Sequence, residues 1–129
     1  FIELRRQHFM LLKERLEEVE NKLILPEACE NSRPSWFGFA ITCREGIDRN
    51  KIVQDMENNN IQTRMLFAGN LLKHPCFSEM IKLKKGYRVV GDLKMTERIM
   101  NDTFWIGVYP GMTEDMIDYM AQIIKRAVQ

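Results

Sequence analysis

Apolar and polar residues follow two rhythms along this chain, and the switches between them mark its elements. Over residues 1–25, Leu4, His8, Leu11, Leu12, Leu16, Val19 and Leu23 recur at spacings of three and four, the repeat of one helical face. Lys13, Arg15, Glu17, Glu18 and Glu20 take the other side. Pro26 ends the pattern, because it has no amide proton for a helical bond. A helix over 1–25 is predicted. Residues 26–34, PEACENSRP, hold turn-formers without periodicity, as a connector does. Residues 36–43, WFGFAITC, are aromatic and β-branched and lie between Pro34 and Gly46, which reads as a buried strand. After a turn at Arg44-Glu45-Gly46, Asp48 caps a helix with Ile52, Val53 and Met56 on its inner face. Asn58, Asn59 and Asn60 end it, since Asn tolerates the left-handed backbone of a helix exit.

Residues 63–68 read as a second strand and 103–109, TFWIGVY, as a third. Thr113 caps a last helix reaching about residue 127. Glu114 and Asp115 stand in its first turn and Lys125 and Arg126 in its last, matching the helix dipole. Met112, Met116, Ile117, Met120, Ile123 and Ile124 supply its apolar face. Residues 71–92 are the least regular. A solvated loop is predicted around Lys82, Lys84 and Lys85, a short extended piece over 87–90, and a brief helix over 97–101 capped by Thr96.

Together these elements predict an α/β fold, an α+β two-layer sandwich in which a small sheet of three or more strands carries helices mainly on one face. The strands near 36–43, 63–68 and 103–109 should share one sheet, with the helices near 48–58 and 113–127 on the same face. The strand–helix–strand run suggests a right-handed crossover between parallel strands. Helix 1–25 is expected to connect a missing large domain to a small domain over 26–129. The opening Phe1-Ile2-Glu3, without Met, fits a chain cut from something longer.

The 129 residues, 45% hydrophobic and 29% charged, suit one globular domain. A net charge of +1 gives no electrostatic reason to expect nucleic acid or an anionic membrane as partner. No apolar run approaches the roughly 20 residues of a membrane span. Cys29, Cys43 and Cys76 form no close pair, so reduced thiols and a cytoplasmic location are expected, without a metal site. His8 and His74 belong to no ligand-spaced cluster. Neither a Walker nor a Rossmann phosphate loop nor a G-x-S-x-G elbow occurs, so a self-contained enzyme is not expected.

One stretch departs from plain scaffold. Residues 63–75, TRMLFAGNLLKHP, place Arg64 at the start of a strand and Asn70 just past a Gly69 turn. Polar groups at the edge of an apolar slab are how small-molecule sites are often built. The same residues equally suit a surface ion pair and a turn whose backbone Asn70 satisfies. Asp92, Glu97 and Asp102 are the carboxylates best placed for a cleft, but spacing does not pair them.

The runs SWFGFAITC (35–43), TRMLFAGNLLKHP (63–75), YRVVGDL (87–93) and NDTFWIGVYPGMT (101–113) resemble, in this order and spacing, the C-terminal small domain of fold-type I, pyridoxal-phosphate-dependent nucleotide-sugar enzymes of the DegT/DnrJ/EryC1/StrS type. Within that group the likeness is to the CDP-4-keto-6-deoxyglucose 3-dehydratase type of lipopolysaccharide O-antigen biosynthesis, with the GDP-4-keto-6-deoxymannose enzymes as near kin. The resemblance implies a parent that removes the C3 hydroxyl of a nucleotide-linked 4-keto-6-deoxy sugar with pyridoxamine phosphate (PLP/PMP), acting as a cytoplasmic homodimer. Cofactor, catalytic histidine and any [2Fe-2S] cluster are then expected in the large domain, and none in this chain. No catalytic residue is assigned here. By their places in the matching motifs, Arg64, Phe67 and Asn70 become candidates for the substrate-binding wall: Arg64 toward a phosphate, Asn70 toward a sugar hydroxyl, Phe67 against the sugar or base. Trp36 and Trp105 are expected in the core. A sugar aminotransferase of the same group, or a free-standing α/β binding and dimerisation domain, are the alternatives.

Overall fold

A computed structural model describes all residues, 1–129. Helix α1 spans Ile2–Leu16 and presents Phe9, Leu12 and Leu16 to the interior. It stops well short of residue 25. A 3-10 turn at Glu17–Val19 leads to strand β1, Leu23–Ile24. The apolar spacing runs on through this break, but Leu23 and Leu25 are buried on either side of Ile24, which is the two-residue period of a strand. Pairing with a sheet edge satisfies the backbone there in place of further helical turns.

Strand β2 (Gly38–Cys43), helix α2 (Arg49–Asn58) and strand β3 (Thr63–Met65) follow. Asp48 caps α2 through Oδ1, which accepts from the amides of Asn50 at 2.8 Å and Lys51 at 3.3 Å. Strand β3 is three residues rather than six, because Phe67 takes φ +50 and its amide turns back to the Met65 carbonyl at 2.7 Å. Residues 71–92 are not a plain loop. They hold 3-10 turns at Leu71–Lys73 and Pro75–Phe77 and helix α3 (Ser78–Leu83), which Lys84 ends with φ +50. Residues 87–90 pair with no strand.

Helix α4 (Lys94–Asp102) starts earlier than the Thr96 cap predicts. Leu93, at φ +56, makes the entry, and Asp92 Oδ1 accepts from the Lys94 amide at 3.1 Å. Strand β4 (Thr103–Gly107) and helix α5 (Glu114–Ala127) complete the chain. Thr113 caps α5, its Oγ1 accepting from the Met116 amide at 3.3 Å.

Across the sheet the order is β1-β2-β4-β3, and every neighbouring pair is antiparallel. Strands β2 and β3 therefore run parallel, as the crossover predicts, but β4 lies between them. Alternation sends Phe39, Ile41, Cys43, Phe104, Ile106 and Val108 to the interior, each at most 1% exposed. Helices α1, α2 and α5 cover that face, so the two helices near 48–58 and 113–127 do share one side. Ile52, Met56, Ile117 and Ile124 are fully buried against it. Arg15 Nε donates to Asp118 Oδ1 at 2.7 Å and ties α1 to α5 at the surface.

The opposite face carries Gly38, Ala40, Thr42, Thr103, Trp105 and Arg64, in register across the three strands. Thr42 and Thr103 share a 2.8 Å hydroxyl hydrogen bond there. Trp105 is half-buried and lies over Gly38, where a Cβ would sit 2.7 Å from its ring. Trp36 is also half-buried, but on the interior side, its ring 4.9 Å from Phe9. Both indoles thus pack without being fully enclosed.

Phe39 stands 4.7 Å from Phe9 in the centre of the core. Phe39→Ala should lower unfolding free energy by about 3–5 kcal/mol, the usual cost of emptying a buried aromatic site. Phe37→Ala, at a ring 59% exposed that only edges Trp105, should cost no more than about 1 kcal/mol. Urea unfolding of the two variants checks the contrast; equal losses would contradict the assigned strand register.

Candidate functional site

The candidate site begins where β3 ends. Phe67 holds a left-handed backbone that a bulky side chain rarely adopts, and its ring is 78% exposed. Gly69 follows at φ +63, and a Cβ there would lie 2.5 Å from Met100 Cγ. Both conformation and the pressure of α4 require glycine at this point. Asn70 is then drawn inward to 6% exposure. Its Oδ1 accepts from the Leu72 amide at 3.0 Å, capping the 3-10 turn, and its Nδ2 donates to Glu97 Oε1. The Asn70 amide points to Met100 Sδ at 3.4 Å. Lys73 pairs with the other Glu97 oxygen, and His74 Nε2 donates to the Ala68 carbonyl at 2.5 Å. Lys73 and Asn70, in that order, hold the Glu97 carboxyl below the usual carboxylate range.

Arg64 lies elsewhere. It stands opposite Trp105 on the sheet face away from the core, exposed to solvent. Its Nη1 donates to the Thr63 carbonyl at 2.9 Å. The Gln62 carboxamide, with its oxygen toward the guanidinium, accepts from Nη1 and Nη2 at 3.0 and 2.8 Å. Beneath it, Glu57 Oε1 accepts from both the amide and the hydroxyl of Thr63 at 2.6 Å. These two bonds, hydroxyl first, depress the Glu57 carboxyl, and Arg64 adds a smaller contribution.

Two adjoining clefts flank the loop. One, of about 380 Å³, is lined by Asn70, Leu72, Phe77, Ile81, Val89 and Leu93 among others. The second, of about 360 Å³, takes Leu66, Phe67 and Ile99. They share Gly69, Leu71 and Thr96. Phe67 and Asn70 thus come to neighbouring clefts, whereas Arg64 lines neither. Asn70 already caps a turn and meets a carboxylate. Phe67 is the candidate side chain most free to meet a ligand.

Sequence reasoning placed Glu97 among cleft carboxylates without a partner, and it did not single out Glu57. Glu97 meets Asn70 across 27 positions, a pairing no local spacing signals. Asp92 serves as a helix-entry acceptor. The remaining polar candidates are in structural use or unreactive. His8 Nδ1 donates to the Tyr109 carbonyl at 3.0 Å. Burial pushes the Cys43 thiol up to about 11, so it stays protonated at neutral pH. No group of three His, Cys, Asp or Glu side chains is gathered for a metal ion. No helix is long and apolar enough to cross a membrane.

The fold of this sheet and its helices is shared by solved structures of aminotransferase-type chains, at TM-scores of 0.78–0.80. The chain belongs to the DegT/DnrJ/EryC1/StrS aminotransferase family, whose model matches residues 1–125. It is 48% identical over 122 residues, 93% of its length, to lipopolysaccharide biosynthesis protein RfbH of Salmonella typhimurium, and covers 27% of that protein. It is 41% identical over 126 residues, 96% of its length, to dTDP-4-dehydro-2,6-dideoxy-D-glucose 3-dehydratase of Saccharopolyspora spinosa, covering 26% of it. The fold also matches E. coli GDP-4-keto-6-deoxy-D-mannose-3-dehydratase with bound hydrated PLP, at a TM-score of 0.80 and 23% identity, over 96% of this chain and 31% of that one. The chain therefore spans roughly a quarter to a third of the length of these relatives.

The Glu57 clamp predicts a pH signature. Its carboxyl is depressed from an ordinary 4.5, so the stability it adds is complete above that value and is lost as pH falls through the lowered folded-state pKa. The melting temperature of the unaltered chain should exceed that of Glu57→Gln most at neutral pH. The gap should close as pH is taken below 4.5. A gap that stays constant down to acid pH would rule out the carboxylate form as the source.

Proposed function

We propose that this chain is the C-terminal small domain of a PLP/PMP-dependent nucleotide-sugar 3-dehydratase that deoxygenates C3 of a 4-keto-6-deoxy sugar. The observation that carries this reading is the identity to a named 3-dehydratase and to a lipopolysaccharide biosynthesis protein over nearly the whole chain. The parent is read as a cytoplasmic homodimeric enzyme of deoxysugar and O-antigen synthesis, with a nucleotide-linked sugar as its partner.

The cofactor's fit can be judged on the chain's own residues, and they do not fit it. Arg64 lies outside both clefts, Arg88 on the cleft rim is exposed, and Lys73 is held by Glu97, so no set of cationic groups converges on a cofactor phosphate. Both histidines donate to backbone carbonyls. We assign the cofactor, and any [2Fe-2S] cluster, to the missing large domain. Cys43 is buried and Cys29 and Cys76 stand exposed and apart in sequence, which is not the setting of a cluster.

What this chain supplies is a wall. From residue 71 to 102 no side chain is buried, although Leu71, Leu83, Val90 and Met95 are all more than half exposed. On helix α4 no residue is fully buried, and Met95 and Ile99 of its apolar face are exposed. So much uncovered apolar surface marks a contact region, and we assign its cover to the large domain. Phe67, at the rim of that surface, is positioned to pack on the sugar or base and keep water from it. Arg64, on the exposed sheet face, is positioned for a phosphate oxygen, which its planar fork suits. Asn70 orders the turn that follows Phe67 and has one further N–H for a sugar hydroxyl.

Steady-state kinetics of the parent with CDP-, dTDP- and GDP-linked 4-keto-6-deoxyhexoses tests this. Formation of a 3-deoxy product that depends on added PMP is the expected result; amino-sugar formation instead would favour the aminotransferase alternative. Arg64→Ala should raise KM by an amount equivalent to about 1.5–3 kcal/mol, the range for a charge-assisted hydrogen bond. A variant that melts lower but keeps its KM would make Arg64 structural.

A further inference from the structure

We infer that Glu97 is a positioning residue of this wall: its carboxylate latches the 67–73 loop to α4 and so fixes where the Phe67 ring stands. The inference rests on the reading of the loop as a substrate wall. Three observations converge on it. Glu97 uses both oxygens on the loop, Oε1 for Asn70 Nδ2 and Oε2 for Lys73 Nζ. Its helix supplies the loop's other anchor as well, since Met100 closes on Gly69 and receives the Asn70 amide. The loop starts from a strained residue, Phe67 at φ +50, with a ring 78% exposed and without core packing to hold it.

A left-handed phenylalanine persists only where its surroundings over-determine it. Upstream, the restraint is β3 and the Phe67 amide turned to Met65. Downstream, it is the Asn70 cap, and Asn70 is held from outside its own turn by Glu97 and Met100. Losing the Glu97 carboxylate leaves a buried amide without a partner and an ammonium without a counter-charge. The loop would answer by turning Asn70 outward, and Phe67, three residues back across a glycine, would move with it. Glu97 touches no proposed ligand position itself, so its effect on substrate passes through the loop.

The test uses the parent enzyme with Glu97→Ala, Glu97→Gln and Phe67→Ala, read by amide hydrogen exchange over 67–73 and by KM and kcat for the nucleotide sugar it turns over. Glu97→Ala should speed exchange at Leu72 and Lys73 and raise KM about fivefold, as loss of one hydrogen bond's worth of binding does, with kcat nearly unchanged. Phe67→Ala should raise KM without faster exchange. Glu97→Gln should recover most of the KM, because its amide oxygen still accepts from Asn70. Unchanged exchange in Glu97→Ala overturns the latch whatever the kinetics. Faster exchange with an unaltered KM, while Phe67→Ala raises KM, also overturns it and leaves the wall reading standing. If Phe67→Ala and Glu97→Ala both leave KM unaltered, the wall reading fails and the latch loses its role with it.

Discussion

The insertion of β4 between β2 and β3 is the constraint on which this structure depends. Strand β4 is the only strand whose two edges are both taken by strands remote in sequence. Its inward residues, Phe104 and Ile106, sit at the middle of the helix-covered face. Its outward residue, Trp105, sets what the other face can hold: glycine beneath the ring on β2 and Arg64 beside it on β3. Because β4 comes late in the chain, the parallel pair β2 and β3 cannot be joined until it arrives. The short β3 ends beside it, and the loop that follows is carried to α4, the helix that feeds β4. The candidate wall is thus the place where β4 ties two distant stretches together.

Much of the fold can be read in the chain, for definite reasons. The aromatic and β-branched runs around Phe39 and Trp105 have the composition and length of strands, and both form. Asp48 and Thr113 cap their helices because a side-chain oxygen just ahead of a periodic run meets free amides. What was illegible came from tertiary pairing. The spacing Leu12, Leu16, Val19, Leu23 stays helical on paper, but the edge of β2 claims Leu23 and Ile24 as a strand. Nothing about Phe67 or Leu93 announces a left-handed backbone, so β3 was expected too long and α4 too short. The order of strands needs the β2–β4 register, set by residues more than sixty positions apart.

The site was legible in a different way. Arg64 and Asn70 stand out as polar groups flanking a strand and a glycine, but only motif likeness raised Phe67. The geometry then divides the three. Asn70 is turned inward and caps the 3-10 turn, Phe67 is turned outward to solvent, and Arg64 lies on the sheet. Glu97 stands out in the sequence as a cleft carboxylate, but its pairing with Asn70 has no local sign, since that partner is 27 residues away. Helices α1, α2 and α5 cover the core face of the sheet, whereas residues 71–102 bury no side chain, and the proposed contact with a large domain rests on that contrast.

We propose that the loop after β3 forms one wall of a nucleotide-sugar site in the parent enzyme. A crystal structure of the parent with its nucleotide-sugar product bound tests this most directly. The Phe67 ring should then stand in van der Waals contact with the sugar or base, within about 4.5 Å, over a loop still joined to Glu97. A product bound with Phe67 buried instead in a domain interface, away from the ligand, would contradict it.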